Sequence, residues 1–347
     1  AKARNRAIEV AQGDYLYCCD ADDFCKPNLL EGAVQVAECY DADVVLLPFM
    51  LYDNKIATSI SVPWSLPRHL FPEGCFTWHD NPDATFSTFR TVPWNKLVRT
   101  SFIRDNAIHF QDDVFLSEDV MFSLPAAVLA QRVACTDEPA LYHRENIGTS
   151  AMDTKDAHPL DFVRAFQALR AFLEEQGCMC ELRHSYLVWV AGGCVYNLLT
   201  LKNRESFDEV FSYLNSCGLH DLDISEADLS EIDNVDDVNV LRAIFANDRD
   251  RLLHAEQLRL RMAFDQACYR ERMQFEARQA LENRLREQET ATREAQAAVE
   301  ELQASLEALR DEHERAMNAA EQKIGRAVCR IPRAVQRKLL STKQREQ

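Results

Sequence analysis

No Lys or Arg occurs between Glu205 and Leu241, no Gly or Pro between Asn247 and Ala320, and no C-x-x-C pair anywhere in the 347 residues. The twelve cysteines are scattered, and Cys178-Met179-Cys180 is a lone pair without the matching His or Cys pair that a zinc set needs. Cys18 and Cys19 are adjacent in an expected strand, where side chains point to opposite faces, so they are poorly placed to pair with each other. Reduced, mostly buried thiols of a cytosolic protein are expected. No stretch is apolar for the thickness of a bilayer, and none reads as a secretory leader. The formal net charge of −17 argues against nucleic-acid binding, which needs a basic footprint. There is also no initiator Met. Ala1 opens in mid-pattern, so a fragment of a longer chain is expected.

What is present suffices for one sizeable domain with appendages: 47% of residues are hydrophobic and 27% charged. Ala3 to Gln12 carries a helical pattern closed by Gly13. Tyr15 to Cys19 is an apolar run without alternation, which predicts a strand covered on both faces in a parallel sheet. A helix over Asn28 to Tyr40 and a buried strand within Asp43 to Met50 follow, in a βαβ-type order. Residues 53–89 read as loops and short strands. Ser117 is the expected N-cap of a helix running towards Gln131, which Pro125 would shorten or kink. A last strand is expected near Pro139 to Arg144, ending at Gly148-Thr149-Ser150.

From His158 the pattern turns helical, over roughly 160–176, 181–201 and 206–216. The acidic stretch 221–246 reads as a linker or solvated loop. Beyond it, Leu281, Leu285, Gln288, Thr292, Ala295, Val299, Leu302, Leu306 and Leu309 recur in alternating steps of three and four. That is a heptad seam of about four repeats, which predicts a coiled coil through which the chain could self-associate; a single long helix is the competing form. The tail 323–347 mixes Lys323, Arg326, Arg330, Arg333, Arg337 and Lys338 with apolar residues at helix-like intervals. It reads either as a segment for an anionic membrane surface or as a solvated terminus.

Chemistry concentrates at Asp20, Asp22 and Asp23, three carboxylates at the end of the first strand. Open α/β sheets bind ligands at such strand ends. Carboxylates this close need a counter-ion, and hard oxygen ligands suit Mg²⁺ or Mn²⁺ shared with substrate phosphates. The plainer reading makes Asp22 or Asp23 the cap of the helix that starts near Pro27. Asp119 lies at a second element boundary. If both boundaries face one crevice, a metal-phosphate site stands opposite a possible general base. Phosphoryl, nucleotidyl or glycosyl transfer from an activated nucleotide would all use that arrangement.

The run Ala3-Arg4-Asn5-Arg6-Ala7-Ile8-Glu9-Val10-Ala11-Gln12-Gly13-Asp14-Tyr15, with Asp20-Ala21-Asp22-Asp23 after it, resembles the middle of a family 2 glycosyltransferase of GT-A fold. Trp94-Asn95-Lys96-Leu97-Val98-Arg99 is similar to the family's "WNKLYR" box, and Glu118-Asp119-Val120-Met121-Phe122 to its "EDvxF" box. Tyr142-His143-Arg144 with Ser150 resembles the closing segment more loosely. The resemblance spans residues 1 to about 152. It implies an α/β fold: a partial GT-A, Rossmann-like mixed sheet lacking its first strands, since the family's opening "VSVIIPVYN" and "DDGSTDGS" segments are absent. A helical region (153–220), the acidic linker (221–246), a long coiled-coil helix (247–322) and the basic tail would follow.

The resemblance also implies roles. Asp20 and Asp22 would contact the sugar nucleotide and its Mn²⁺ or Mg²⁺, with Asp23 in support and His143 as a further metal ligand. Trp94 and Lys96 would line the donor or acceptor side. Asp119 would be the base that deprotonates the acceptor hydroxyl in an inverting reaction, with Glu118 as its acidic partner. The expected partners are a nucleotide-sugar donor and a saccharide or lipid-linked acceptor, in cell-surface polysaccharide synthesis at the inner membrane face. A non-catalytic coiled-coil assembly protein with a vestigial transferase domain, and a nucleotidyltransferase, are the alternatives.

Overall fold

The computed structural model describes residues 1–62, 65–66, 68–145, 151–329 and 335. The chain divides into two compact units, Ala1–Leu260 and Arg261–Gln347. The first unit is mixed α/β, as expected, and is built on two four-stranded sheets. One holds β1 (Tyr15–Tyr17), β6 (Lys96–Arg99), β3 (Val44–Leu46) and β7 (Val133–Cys135) in that spatial order. The other runs β2 (Phe24–Cys25), β8 (Leu141–Glu145), β4 (Phe49–Asp53) and β5 (Thr58–Ser61). Only the β3–β7 and β4–β8 pairs are parallel.

β3 shows how one strand serves two cores. Val44 and Leu46 face a large cluster with Phe89, Val98 and Phe122, while Val45 and Leu47 face a smaller one with Ala33, Ala37 and Trp94. Side chains that alternate across a pleated strand require this split. The smaller cluster is closed by α2 (Leu29–Tyr40). The larger is covered by α5 (Val120–Leu129) and by helices from the 161–246 region, after α1 (Lys2–Val10), α3 (Thr85–Phe89) and α4 (Thr100–Asp105) earlier in the chain.

The helical region comprises α6 (Asp161–Glu175), α7 (Arg183–Leu199), α8 (Arg204–Tyr213), a π turn at Leu214–Gly218, the short α9 (Leu219–Asp221) and α10 (Val235–Phe245). Finally α11 runs from Arg249 to Cys329. Beyond residue 329 the expected basic tail lies outside the described residues save residue 335, and so does the expected chain segment ending at Ser150.

Three expectations are corrected. The first strand does not lie in a parallel sheet: β1 pairs antiparallel with β6 at a sheet edge, and all three of its residues are only half-buried. Its apolar run instead marks partial burial on both faces of an edge strand, Leu16 against the larger cluster and Tyr15 and Tyr17 against the smaller. The acidic stretch 221–246 is no linker. Leu222, Ile224, Leu229, Ile232, Val238, Leu241 and Ile244 are buried in the main core, and the acids fall between them on the outside. Asn234 caps α10 by accepting from the Asp236 and Asp237 amides, and those two acids suit the helix N-terminus. Charge density there hid an apolar periodicity. Ser117 is not an N-cap either. It adopts φ +64, and Asp119 occupies the cap position of α5 without making a side-chain cap bond.

In the second unit, Leu281, Leu285, Leu302, Leu306 and Leu309 are exposed by 52–70%.

Candidate active site

The site is assembled from the start of α1, the turn after β1, the segment entering β6, the turn entering α5, and β8. Asn5 fixes α1: its side-chain amide donates to the Phe110 carbonyl at 2.7 Å, and its oxygen accepts from the Phe110 amide at 2.8 Å. One residue earlier, Arg4 donates to Asp20 Oδ1 at 3.1 Å and to Glu118 Oε1 at 2.9 Å. A single guanidinium thus joins the two carboxylate clusters that the sequence places almost a hundred positions apart. Its two forks explain why Arg and not Lys suits the position.

The turn that carries Glu118 and Asp119 is held from the other side by Asp161. This buried carboxylate, at the start of α6, accepts from the Phe115 and Leu116 amides at 2.7 and 3.1 Å. The Glu118 carbonyl in turn accepts from the Gln111 amide at 3.1 Å. With its cap position unused, Asp119 faces a cavity of about 1170 Å³. Burial, reinforced by Glu118 and opposed by Lys96, raises its carboxyl from 3.8 to about 7.

Lys96 lies beneath this wall and lines neither large cavity. Only 1% exposed, its ammonium donates to the carbonyls of Arg90 and Val92 and to Asn95 Oδ1. Burial lowers it from 10.5 to about 7, with Asp119 acting in the opposite sense. Lys96 therefore fastens the 90–95 segment, and its charge acts on Asp119 without a direct contact.

At the first carboxylate cluster each side chain has a different fate. Asp20 is bound by Arg4; burial raises its carboxyl while Arg4 opposes the shift. Asp23 has no exposed side-chain surface. It accepts from the Arg144 amide at 2.9 Å and sits 3.0 Å from His143 Nδ1, which locks β8 to the turn. That contact raises the His143 imidazole above its ordinary range, against the effect of burial. His143 stacks on Trp94 with centroids 4.6 Å apart, and both line a second cavity of about 360 Å³. Ser87, Arg90, Thr91, Val92 and Trp189 wall both cavities. Asp22 is exposed at the turn and lines neither.

The structure thus brings together Asp20 with Glu118, Asp23 with His143 and Trp94, and Lys96 with Asp119. Among the described residues no three His, Cys, Asp or Glu side chains gather to hold a metal on their own. The donor set fits a hard cation held by one or two carboxylates and completed by substrate phosphates, with Asp22 the available ligand and Asp20 reachable once Arg4 is displaced. His143 matches the pattern of a metal-bound imidazole whose other nitrogen is steadied by a carboxylate.

Arg4, Asn5 and Asp161 are contributors that the sequence did not single out. Arg4 and Asn5 lay inside the quoted motif, whereas nothing local marked Asp161. The Gly192-Gly193 pair is another. Glycine inside a helix costs about 1 kcal/mol relative to alanine, yet α7 carries two in succession at the cavity wall. A Cβ at Gly193 would fall 2.6 Å from the Phe166 ring, and one at Gly192 would meet Asp237 Oδ2 at 3.4 Å. Their absent side chains let Phe166 and Asp237 close on the helix and keep the cavity open.

Residues 1–102 match the family described as Glycosyl transferase family 2. The poly(ribitol-phosphate) beta-N-acetylglucosaminyltransferase TarS of Staphylococcus aureus is 25% identical over 182 residues, half of this chain and 29% of TarS. The cholesterol galactosyltransferase of Borreliella burgdorferi is 24% identical over 195 residues, 53% of this chain and 52% of that protein. The chain therefore spans about a third to half of the length of these relatives. Among solved structures, TarS 1-349 in complex with UDP-GlcNAc superposes with a TM-score of 0.54 at 19% identity, covering 74% of this chain and 70% of that one. That likeness establishes the fold, a mixed α/β architecture of GT-A type. Residues 1–102 are a glycosyl transferase family 2 domain.

Proposed function

We propose that the protein moves a sugar from a nucleotide-sugar donor to a hydroxyl acceptor with inversion, in the synthesis of a cell-surface polysaccharide. The observation that carries this reading is the Arg4 bridge, which sets the Asp20 turn beside the Glu118-Asp119 turn at the edge of a large cavity. The acceptor oxygen attacks the anomeric carbon and forms the new C–O bond as the bond to the diphosphate breaks. Asp119 takes the hydroxyl proton. A carboxyl poised near 7 is matched to that task, since a useful base must be ionised at working pH yet still bind a proton. Glu118 keeps it there by repulsion, and Asp161 holds the turn in place. A Mn²⁺ or Mg²⁺ ion at Asp22 and Asp20, with His143 nearby, would neutralise charge on the leaving diphosphate. Trp94 and His143 would shape the donor side, and Asp23 would keep His143 in position.

The test is turnover of a panel of sugar nucleotides by the full-length protein. Release of nucleoside diphosphate that depends on Mn²⁺ or Mg²⁺ and disappears in Asp119→Asn and Asp22→Ala supports the reading. Release of pyrophosphate would replace it with nucleotidyl transfer, and unaltered cellular function in both variants with a purely structural role.

The uncovered stripe on α11 supports self-association through a second copy of that helix. Sedimentation equilibrium should show an oligomer that Leu302→Lys and Leu306→Lys together dissociate. No helix among the described residues is long and apolar enough to cross a membrane. The basic tail would instead hold the protein at the inner face, which flotation with anionic vesicles checks.

A further inference from the structure

The larger cavity extends well past Asp119, along α7 to the start of α10, and the chemistry above uses only one end of it. Its far wall has a definite character. Trp189 is half-buried and borders both cavities, resting on Phe166 with centroids 4.7 Å apart. Two turns on, Tyr196 is 55% exposed and Asn197 lies beside it. Between these aromatics, Gly192 and Gly193 let the Phe166 ring and the Asp237 carboxylate pack directly on the helix. Opposite stand Asp233 and Asp237. Flat aromatic faces set among carboxylates and amides suit a polyhydroxylated ring. Its C–H face covers the aromatic surface, and its hydroxyls donate to oxygen acceptors.

The charge on this wall is one-sided. Asp83, Asp119, Asp233 and Asp237 line the cavity, against Arg90 and Lys155 among the described residues. Lys155 is already engaged: it donates to Thr200 Oγ1, and its ammonium lies 4.5 Å from the Tyr196 ring centre. A chain with one phosphate per repeat would meet repulsion here instead of the paired cations that recognise phosphates.

We propose that this cavity is the acceptor site and that it selects an uncharged saccharide, seated on Trp189 and Tyr196 and hydrogen-bonded by Asp237 and Asn197. Polyol-phosphate chains, the kind of acceptor for which TarS is named, are turned away. The inference rests on the transfer reading above for the word acceptor, but the binding preference stands independently of it.

The test uses saturation-transfer NMR on the full-length protein. Two probe sets are compared: tetrasaccharides of glucose, galactose and N-acetylglucosamine, and a ribitol-phosphate oligomer of similar length. At least one neutral tetrasaccharide should bind more tightly than the oligomer, with affinity changing less than about twofold between low and high salt. Tyr196→Ala should weaken it about tenfold, with Trp189→Phe as a gentler second variant and thermal melts to confirm folding. Asp233→Lys with Asp237→Lys should strengthen binding of the ribitol-phosphate oligomer about tenfold. Tighter binding of the anionic oligomer by the unaltered protein, no binding of any neutral tetrasaccharide, or indifference to both aromatic variants would overturn the proposal. If no sugar nucleotide is turned over while Tyr196-dependent binding persists, the transfer reading falls and this one remains.

Discussion

Asp20, Asp22 and Asp23 occupy the turn after β1, while Glu118 and Asp119 occupy the turn into α5. One guanidinium joins the two groups. At the first turn the carboxylates are spread between Arg4, open solvent and the His143–Arg144 pair. At the second, Glu118 takes the other fork of Arg4, and Asp119 is left in a half-enclosed wall where the charges of Lys96 and Arg4 and a backbone hydrogen bond only partly oppose its desolvation. The number of acids matters less than how much water each can reach. The exposed turn suits charge that stays fixed and binds a cation. The enclosed turn suits a group that exchanges a proton.

The sharpest way to break this contrast is Asp119→Asn. Turnover should fall about 10²–10⁴-fold, the usual worth of a positioned base. In the unaltered enzyme kcat/KM should fall as pH drops below about 7, and that limb should vanish from whatever residual rate the variant retains. Stability gives an independent reading. Because the folded carboxyl titrates above its unfolded value, it favours the fold at low pH and loses that contribution as pH rises through about 7. Thermal melts should therefore show Asp119→Asn matching the parent protein below about 3.8, gaining on it as pH rises from there to about 7, and keeping a constant advantage above 7.

Next in size is Asp161→Ala. Removing the carboxylate leaves the Phe115 and Leu116 amides without their acceptor, one of them buried. A loss of about 2 kcal/mol in urea unfolding is expected, with a lower kcat as the Asp119 turn loosens. Arg4→Ala separates the two clusters directly. Its ion pairs are partly exposed, so stability should change by less than about 1 kcal/mol. Turnover should still fall about tenfold through misplacement of the turns, and Arg4→Lys should recover only part of it. The smallest effect belongs to Ser117→Gly. It relieves a left-handed backbone at φ +64 and should stabilise the fold by up to about 1 kcal/mol in the same unfolding assay.

Much of this was legible from local pattern. The helix at Leu29–Tyr40, the buried strand at Val44–Leu46 and the long helix from Arg249 follow from apolar spacing alone. The motif boxes marked which stretches would meet. What local pattern could not give was sign and partner. Tyr15-Leu16-Tyr17 is as apolar as a central strand, yet it lies at an edge, because sheet neighbours are chosen by distant segments. The acids of 221–246 suggested a solvated linker, although their spacing left nine buried apolar residues free to face the core. Lys96 fell in a motif box, but only the folded 90–95 loop shows its ammonium enclosed by oxygens.

The sequence by itself determined the identity of the reactive groups, the helices and strands that carry them, and the exposed heptad stripe of α11, because these depend on spacing along one chain. Only the tertiary structure decided that Arg4 clasps both turns, that Asp119 holds its proton up to about pH 7, and that Phe166 and Asp237 close on the two glycines of α7 at the cavity wall. Proximity between distant segments and exclusion of water arise when the chain closes on itself, and no run of residues encodes either one locally.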